Sequence, residues 1–174
     1  MLFRSPVVPL SPELASAWNA RIALLEKSKG NLTFAKALAV LFEVSEPEDL
    51  EKLVKLESKI LQSAYSHGAA IGIDNRGSPF VAFGGRFTTA AYIRNELLDF
   101  CGSQHAGMCK VIVLNREFDE KEFLAFAQHI KQFDLPTVRR ALLTGLHASL
   151  QSISLQSGHS ARLARVTNIF YSKH

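Results

Sequence analysis

The sequence predicts an α/β fold in a single domain: a small mixed sheet surrounded by helices. Three observations carry this reading. Two short apolar runs, Ala69–Ile73 and Pro79–Phe83, flank Asp74-Asn75-Arg76-Gly77, a hairpin-type turn. A third run, Lys110–Leu114, has the composition of a buried strand. Segments with apolar residues at helical spacing stand before, between and after these strands. The 174 residues suit one compact domain, and a hydrophobic fraction of 47% is ordinary for a globular chain.

Ser11-Pro12-Glu13 reads as a helix start, with Ser as cap and Pro in the first turn. Leu14, Trp18, Ile22 and Leu25 share one face, and Gly30 ends the helix. Leu32 to Val44 is apolar enough for a buried strand or a buried helix, and its length favours the helix. Ser45-Glu46-Pro47-Glu48 matches a capping box. The helix after it carries Leu50, Leu53, Val54, Ile60, Leu61 and Ala64 at helical spacing and a solvated charged face. A helix is expected from about Phe87 to Phe100, burying Ala90, Ala91, Ile93, Leu97 and Leu98. Asp119 with Glu122 caps the next, whose stripe is Phe123, Phe126, Ala127 and Ile130. Leu135-Pro136 breaks the chain, and Thr137 starts a helix through Val138, Leu142, Leu146 and Leu150. Gln151 to His159 is Ser/Gln-rich and reads as a loop.

The segment Phe80-Val-Ala-Phe-Gly-Gly-Arg-Phe-Thr-Thr-Ala-Ala-Tyr92 carries the functional signal. Gly84 and Gly85 are expected to make a tight turn between a strand and a helix N-terminus. Such a turn presents free amides and the positive end of a helix dipole, a ready anion site. Arg86 adds a permanent positive charge. The other reading is that Gly-Gly is only a sharp turn.

This segment resembles the ParB/sulfiredoxin superfamily. ParB proteins read Gly-Glu-Arg-Arg at the turn, before an Ala-rich helix; sulfiredoxins read Phe-Gly-Gly-Cys-His-Arg, then Ala-Ala-Tyr. Here Phe83-Gly84-Gly85 and Ala90-Ala91-Tyr92 fit the sulfiredoxin frame without a gap. Arg86 stands where sulfiredoxins keep their reactive cysteine, and Phe87 and Thr88 stand at the His-Arg positions. Sulfinic-acid reduction is therefore not expected, because it needs a thiolate there. The resemblance covers about Leu50 to Gln128 and implies a core over about 46–134, a helical extension over 1–45, and a C-terminal helix and basic tail over 135–174. In its opening residues and length the chain looks like the plasmid fertility-inhibition members of this superfamily. That likeness implies nucleotide hydrolysis and DNA cleavage, and a block on DNA transfer through a type IV secretion system. The implied cofactor is ATP or another nucleoside triphosphate, with Mg²⁺. The implied partners are DNA and a type IV coupling protein or a relaxase–DNA complex.

The same frame nominates residues. Gly84, Gly85, Arg86, Thr88 and Thr89 would bind phosphate, with Ser66 and His67, at the helix end before the strand Ala69–Ile73, approaching the nucleotide. Past the strand ending at Leu114, Arg116 would bind phosphate and Glu117 or Asp119 would position water or Mg²⁺, giving a catalytic set of Arg86, Arg116 and Glu117. For Asp119, helix capping is the simpler role. Arg94, Arg162 and Arg165 are the DNA-binding candidates. No Gly-x4-Gly-Lys-Ser/Thr loop, Gly-x-Ser-x-Gly turn or His-Glu-x-x-His pair occurs. The competing functions are a phosphohydrolase that also cleaves DNA, a non-catalytic inhibitor of conjugation, and a DNA-binding accessory protein.

Net charge is +4, which permits contact with phosphates without requiring it. The tail from Gly158 carries Arg162, Arg165 and Lys173 and no acid, with Phe170 and Tyr171 among them. It reads either as a nucleic-acid-tracking segment or as a helix burying Leu163, Val166 and Phe170. Cys101 and Cys109 are expected as reduced thiols of a cytoplasmic protein; with His105 they form a weak Cys-x3-His-x3-Cys metal pattern, and the metal is left open. No apolar run is long enough to cross a membrane, so no insertion is expected.

Overall fold

The structure, a computed structural model, describes residues 11–62, 66–86, 89–103, 106–155, 164–165 and 170–173. The helices are α1 (Pro12–Lys27), α2 (Phe34–Leu41), α3 (Pro47–Leu61), α4 (Ala90–Ser103), α5 (Glu120–His129) and α6 (Leu135–Leu155). The strands are β1 (Ser66–Asp74), β2 (Pro79–Arg86), β3 (Ala106–Leu114), β4 (Glu117–Phe118), β5 (Ala164–Arg165) and β6 (Phe170–Lys173). They form one mixed sheet in the order β4-β3-β1-β2-β6-β5, in which only β2 and β6 run parallel. The expected α/β class is therefore present.

The sheet has one face for α4 and one for the other helices. A Cβ at Gly68 would lie 3.0 Å from Leu97, and one at Gly72 would lie 3.1 Å from Cys101. The missing side chains on β1 are what let α4 lie close, with Ile93, Leu97 and Cys101 buried along it. The stripe differs from the expected one: Ala91 and Leu98 face solvent. On the other face Ala69, Ile71 and Ile73 meet the layer of α1, α2, α3, α5 and α6. Trp18, Phe42, Phe123 and Phe126 are fully buried in it.

Most local expectations hold. Ser11 Oγ accepts from the Leu14 amide at 3.2 Å, and Gly30 has φ +89°. Residues 34–41 are helical, as their length predicts. Asp74 Oδ1 accepts from the Arg76 and Ser78 amides and shapes the β1–β2 turn. Asp119 Oδ1 caps α5 through the Glu122 amide at 3.0 Å. The Glu122 carboxylate does not close the box; it pairs with Lys110 at 3.6 Å.

Other expectations are corrected. The cap of α3 is Glu46 rather than Ser45, with no side-chain capping bond. Val54 is exposed because Leu53, Leu56 and Ile60 form the buried face. Pro136 does not delay α6, since Asp134 caps the helix and the ring fits its first turn. Residues 151–155 extend α6 instead of forming a loop. In the tail, Phe170–Lys173 is a strand paired with β2, which replaces the helical reading at those positions; Leu163 and Val166 lie outside the described residues. Alternation of polar and apolar residues is ambiguous over four positions, and an open edge of β2 settles it.

Cys101 and Cys109 are not free thiols: they are joined as a disulfide, with Cα atoms 6.2 Å apart. It ties the last turn of α4 to β3, above the space left by Gly72. The double variant Cys101→Ser, Cys109→Ser should lose roughly 2–3 kcal/mol of stability, the loop-closure value for so short a loop. It should keep its nucleotide affinity. Urea midpoints with and without reductant, and a binding titration, check both.

Candidate functional site

Strand pairing gathers most of the nominated residues at one end of the sheet. β1 begins there and β2 ends there, with Ser66 opposite Arg86 and His67 opposite Gly85. β3 ends there too, with Leu114 opposite Gly68. Asn115 and Arg116 then turn the chain into β4 with φ +48° and +72°. Two consecutive positive φ values are what a two-residue hairpin needs to match strand twist. Asn115 locks this turn to β1: its amide donates to the His67 carbonyl at 2.8 Å, and its Oδ1 accepts from the His67 amide at 3.2 Å. His67 itself is buried.

The glycine pair is not a turn. β2 runs through Gly84 and Gly85 to Arg86. Gly84 is registered between Gly68 on one side and Lys173 on the other, so the ladder holds it from both edges. The depression above the pair, between β2 and Ile93 and Leu97 of α4, has a volume of about 10 Å³, room for about one water. The helix start moves as well: Thr89 caps α4, its Oγ1 accepting from the Tyr92 amide at 3.2 Å. By helix geometry the amides of Ala90 and Ala91 have no intrahelical acceptor. The free donors of the motif therefore lie at Ala90 and Ala91 and not at the glycines. Phe87, Thr88 and Arg162 are outside the described residues.

One row of partners crosses the sheet: Glu117, Leu114, Gly68, Gly84, Lys173. Lys173 thus reaches the site end of the sheet, a placement that the tail's composition did not predict. Arg165 is on β5, the outermost strand, opposite Tyr171. Three strand steps separate Arg86 on β2 from Glu117 on β4, about 14 Å at the usual inter-strand spacing. Along the sheet, Arg86 stands on one side and Arg116 and Glu117 on the other.

Beside Glu117 a second cleft opens between the start of α4 and the β3–β4 edge. Its volume is about 690 Å³, within the usual range of small-molecule sites. Ala90 and Arg94 of α4 line one side, Val111 and Leu114 of β3 lie between, and Glu117 and Asp119 line the other side. Arg94, nominated for DNA, faces this cleft. Among the described residues no group of three His, Cys, Asp or Glu side chains could hold a metal ion.

No family model, no curated protein and no solved structure matches the chain.

Proposed function

We propose that this chain is a fertility-inhibition factor of the ParB/sulfiredoxin type, which binds and hydrolyses a nucleoside triphosphate, cleaves DNA and blocks transfer through a type IV secretion system. The observation that carries the reading is the convergence at one sheet end of Ser66, His67, Arg86 and the capped start of α4. Hydrolysis of a phosphoanhydride requires charge neutralisation and an oriented water, without a covalent nucleophile. Arg86 and the amides at the start of α4 supply the first. Magnesium would enter on the nucleotide, since phosphate oxygens and water provide most of the shell it prefers. DNA phosphates would be tracked by Arg162 and Arg165 of the tail, of which Arg165 lies on β5, paired with β6. The bound partner would be a coupling protein or a relaxase–DNA complex.

A second reading, a non-catalytic inhibitor or DNA-binding accessory protein, is favoured by the engagement of Gly84 in the ladder, which leaves fewer amide donors than the motif promised. Arg86→Ala against Arg76→Ala separates the two. Arg76 carries the same charge in the β1–β2 turn, at the opposite end of the sheet. Arg86→Ala should weaken nucleotide binding about ten- to a hundredfold, as for loss of a charge-assisted contact, and lower phosphate release at least as much. Arg76→Ala should match wild type. The readouts are affinity at two salt concentrations, phosphate release and circular dichroism. A folded Arg86→Ala that binds and turns over like wild type leaves the non-catalytic reading.

A further inference from the structure

The cleft beside α4 has charge on both walls that the protein does not itself use. Glu120 is engaged, since its carboxylate accepts from the amides of Gly30 and Leu32. Asp119 Oδ1 is engaged in capping α5. Among the described residues, the side chains of Arg94 and Glu117 make no hydrogen bond or ion pair, yet they line opposite sides of the same cavity of about 690 Å³. Between them the cleft is apolar, from Val111 and Leu114. A flat ring fits such a slot: a guanidinium stacks on a heteroaromatic face, and the apolar residues cover the other.

The two sides of the cleft differ in sign. On one side, Ala90 begins α4, where the helix dipole favours anions. On the other side of the cleft, Glu117 and Asp119 repel phosphate and offer carboxylate oxygens to N–H donors. A nucleotide would be ordered by that difference in sign, with its phosphates toward the start of α4 and Arg86 and its base toward Glu117. The separation of about 14 Å between Arg86 and Glu117 then spans the two halves of one ligand.

We propose that this cleft holds the nucleoside half of the nucleotide and selects bases that carry an exocyclic amino group over uracil, with Glu117 accepting from that amino group and Arg94 stacking on the ring. The choice of ligand rests on the nucleotide reading above. Uracil presents a carbonyl oxygen where adenine and cytosine present an amino group, so it would set an acceptor against a carboxylate. A site built to receive an N–H rejects the analogue that lacks it.

The test is calorimetry on the full chain without divalent metal, using ATP, UTP, adenosine and inorganic tripolyphosphate. ATP should bind about tenfold more tightly than UTP, and adenosine should bind on its own. Glu117→Ala should bring ATP and UTP to parity. Arg94→Ala should weaken ATP and adenosine about tenfold and leave tripolyphosphate unchanged. Both positions are exposed, so both variants should fold, as circular dichroism would verify. Equal affinity of the wild type for ATP and UTP, or an unchanged ratio in Glu117→Ala, overturns the assignment. Adenosine binding without tripolyphosphate binding keeps the cleft and removes the phosphate site. Binding of neither removes both.

Discussion

Gly68→Val is expected to lose about 3 kcal/mol or more of stability, the upper range for overpacking. A Cβ here would sit 2.7 Å from the Val113 carbonyl oxygen and 3.0 Å from Leu97 Cδ1. The oxygen belongs to the neighbouring strand and cannot rotate away. Relief requires α4 to lift or β3 to shift, and both elements frame the candidate site. Gly68→Ala should show the same direction with a smaller loss. Urea midpoints measure the stability, and nucleotide affinity of the folded fraction measures the site; both should fall together. A Gly68→Ala protein as stable as wild type would contradict the close approach of α4 to β1.

Trp18→Ala should cost about 3–5 kcal/mol, the usual range for truncating a buried aromatic. Trp18 is wholly buried, meets Phe42 edge-on at 6.3 Å, and its indole N–H donates to the Phe133 carbonyl at 2.6 Å. Truncation leaves a cavity and an unsatisfied carbonyl. Trp18→Phe keeps most of the volume and isolates the hydrogen bond, with an expected loss of roughly 1 kcal/mol. Circular dichroism in urea reads both variants. Affinity per folded molecule should be unchanged, because α1 packs on α2, α5 and α6, away from the sheet end that holds Arg86. A Trp18→Ala protein that stays folded and stable but binds nucleotide poorly would tie α1 to the site and overturn this separation.

Several elements were legible because their cause is local. Ser11, Asp74 and Asp119 fix their turn or cap with side-chain bonds spanning two to four residues. The stripe Phe123, Phe126, Ala127 and Ile130 is buried as its spacing predicts. The positions of the candidate residues in the fold were not legible in the sequence. Thr89 was nominated as a phosphate ligand and proves to cap α4. Gly84 and Gly85 carry strong turn propensity, yet they sit inside a strand because β1 pairs with both and β6 with Gly84. Strand pairing supplies the backbone bonds that a turn would leave to solvent or ligand. The cleft of Arg94 and Glu117 has no sequence signature, since its two walls lie more than twenty positions apart and meet only through the packing of α4 on β3.

By itself the sequence determined the α/β class, the order of helices and the β1–β2 hairpin, because periodicity, caps and turn residues act over a few positions. Tertiary structure decided what each part is available to do. It closed the glycine pair into a ladder, brought Lys173 level with Gly84, joined Cys101 to Cys109, and placed Arg86 and Glu117 three strands apart. Each of these depends on which strands become neighbours, and that is set by burying the apolar faces of the sheet between α4 and the helical layer, a requirement of the whole chain rather than of any one segment.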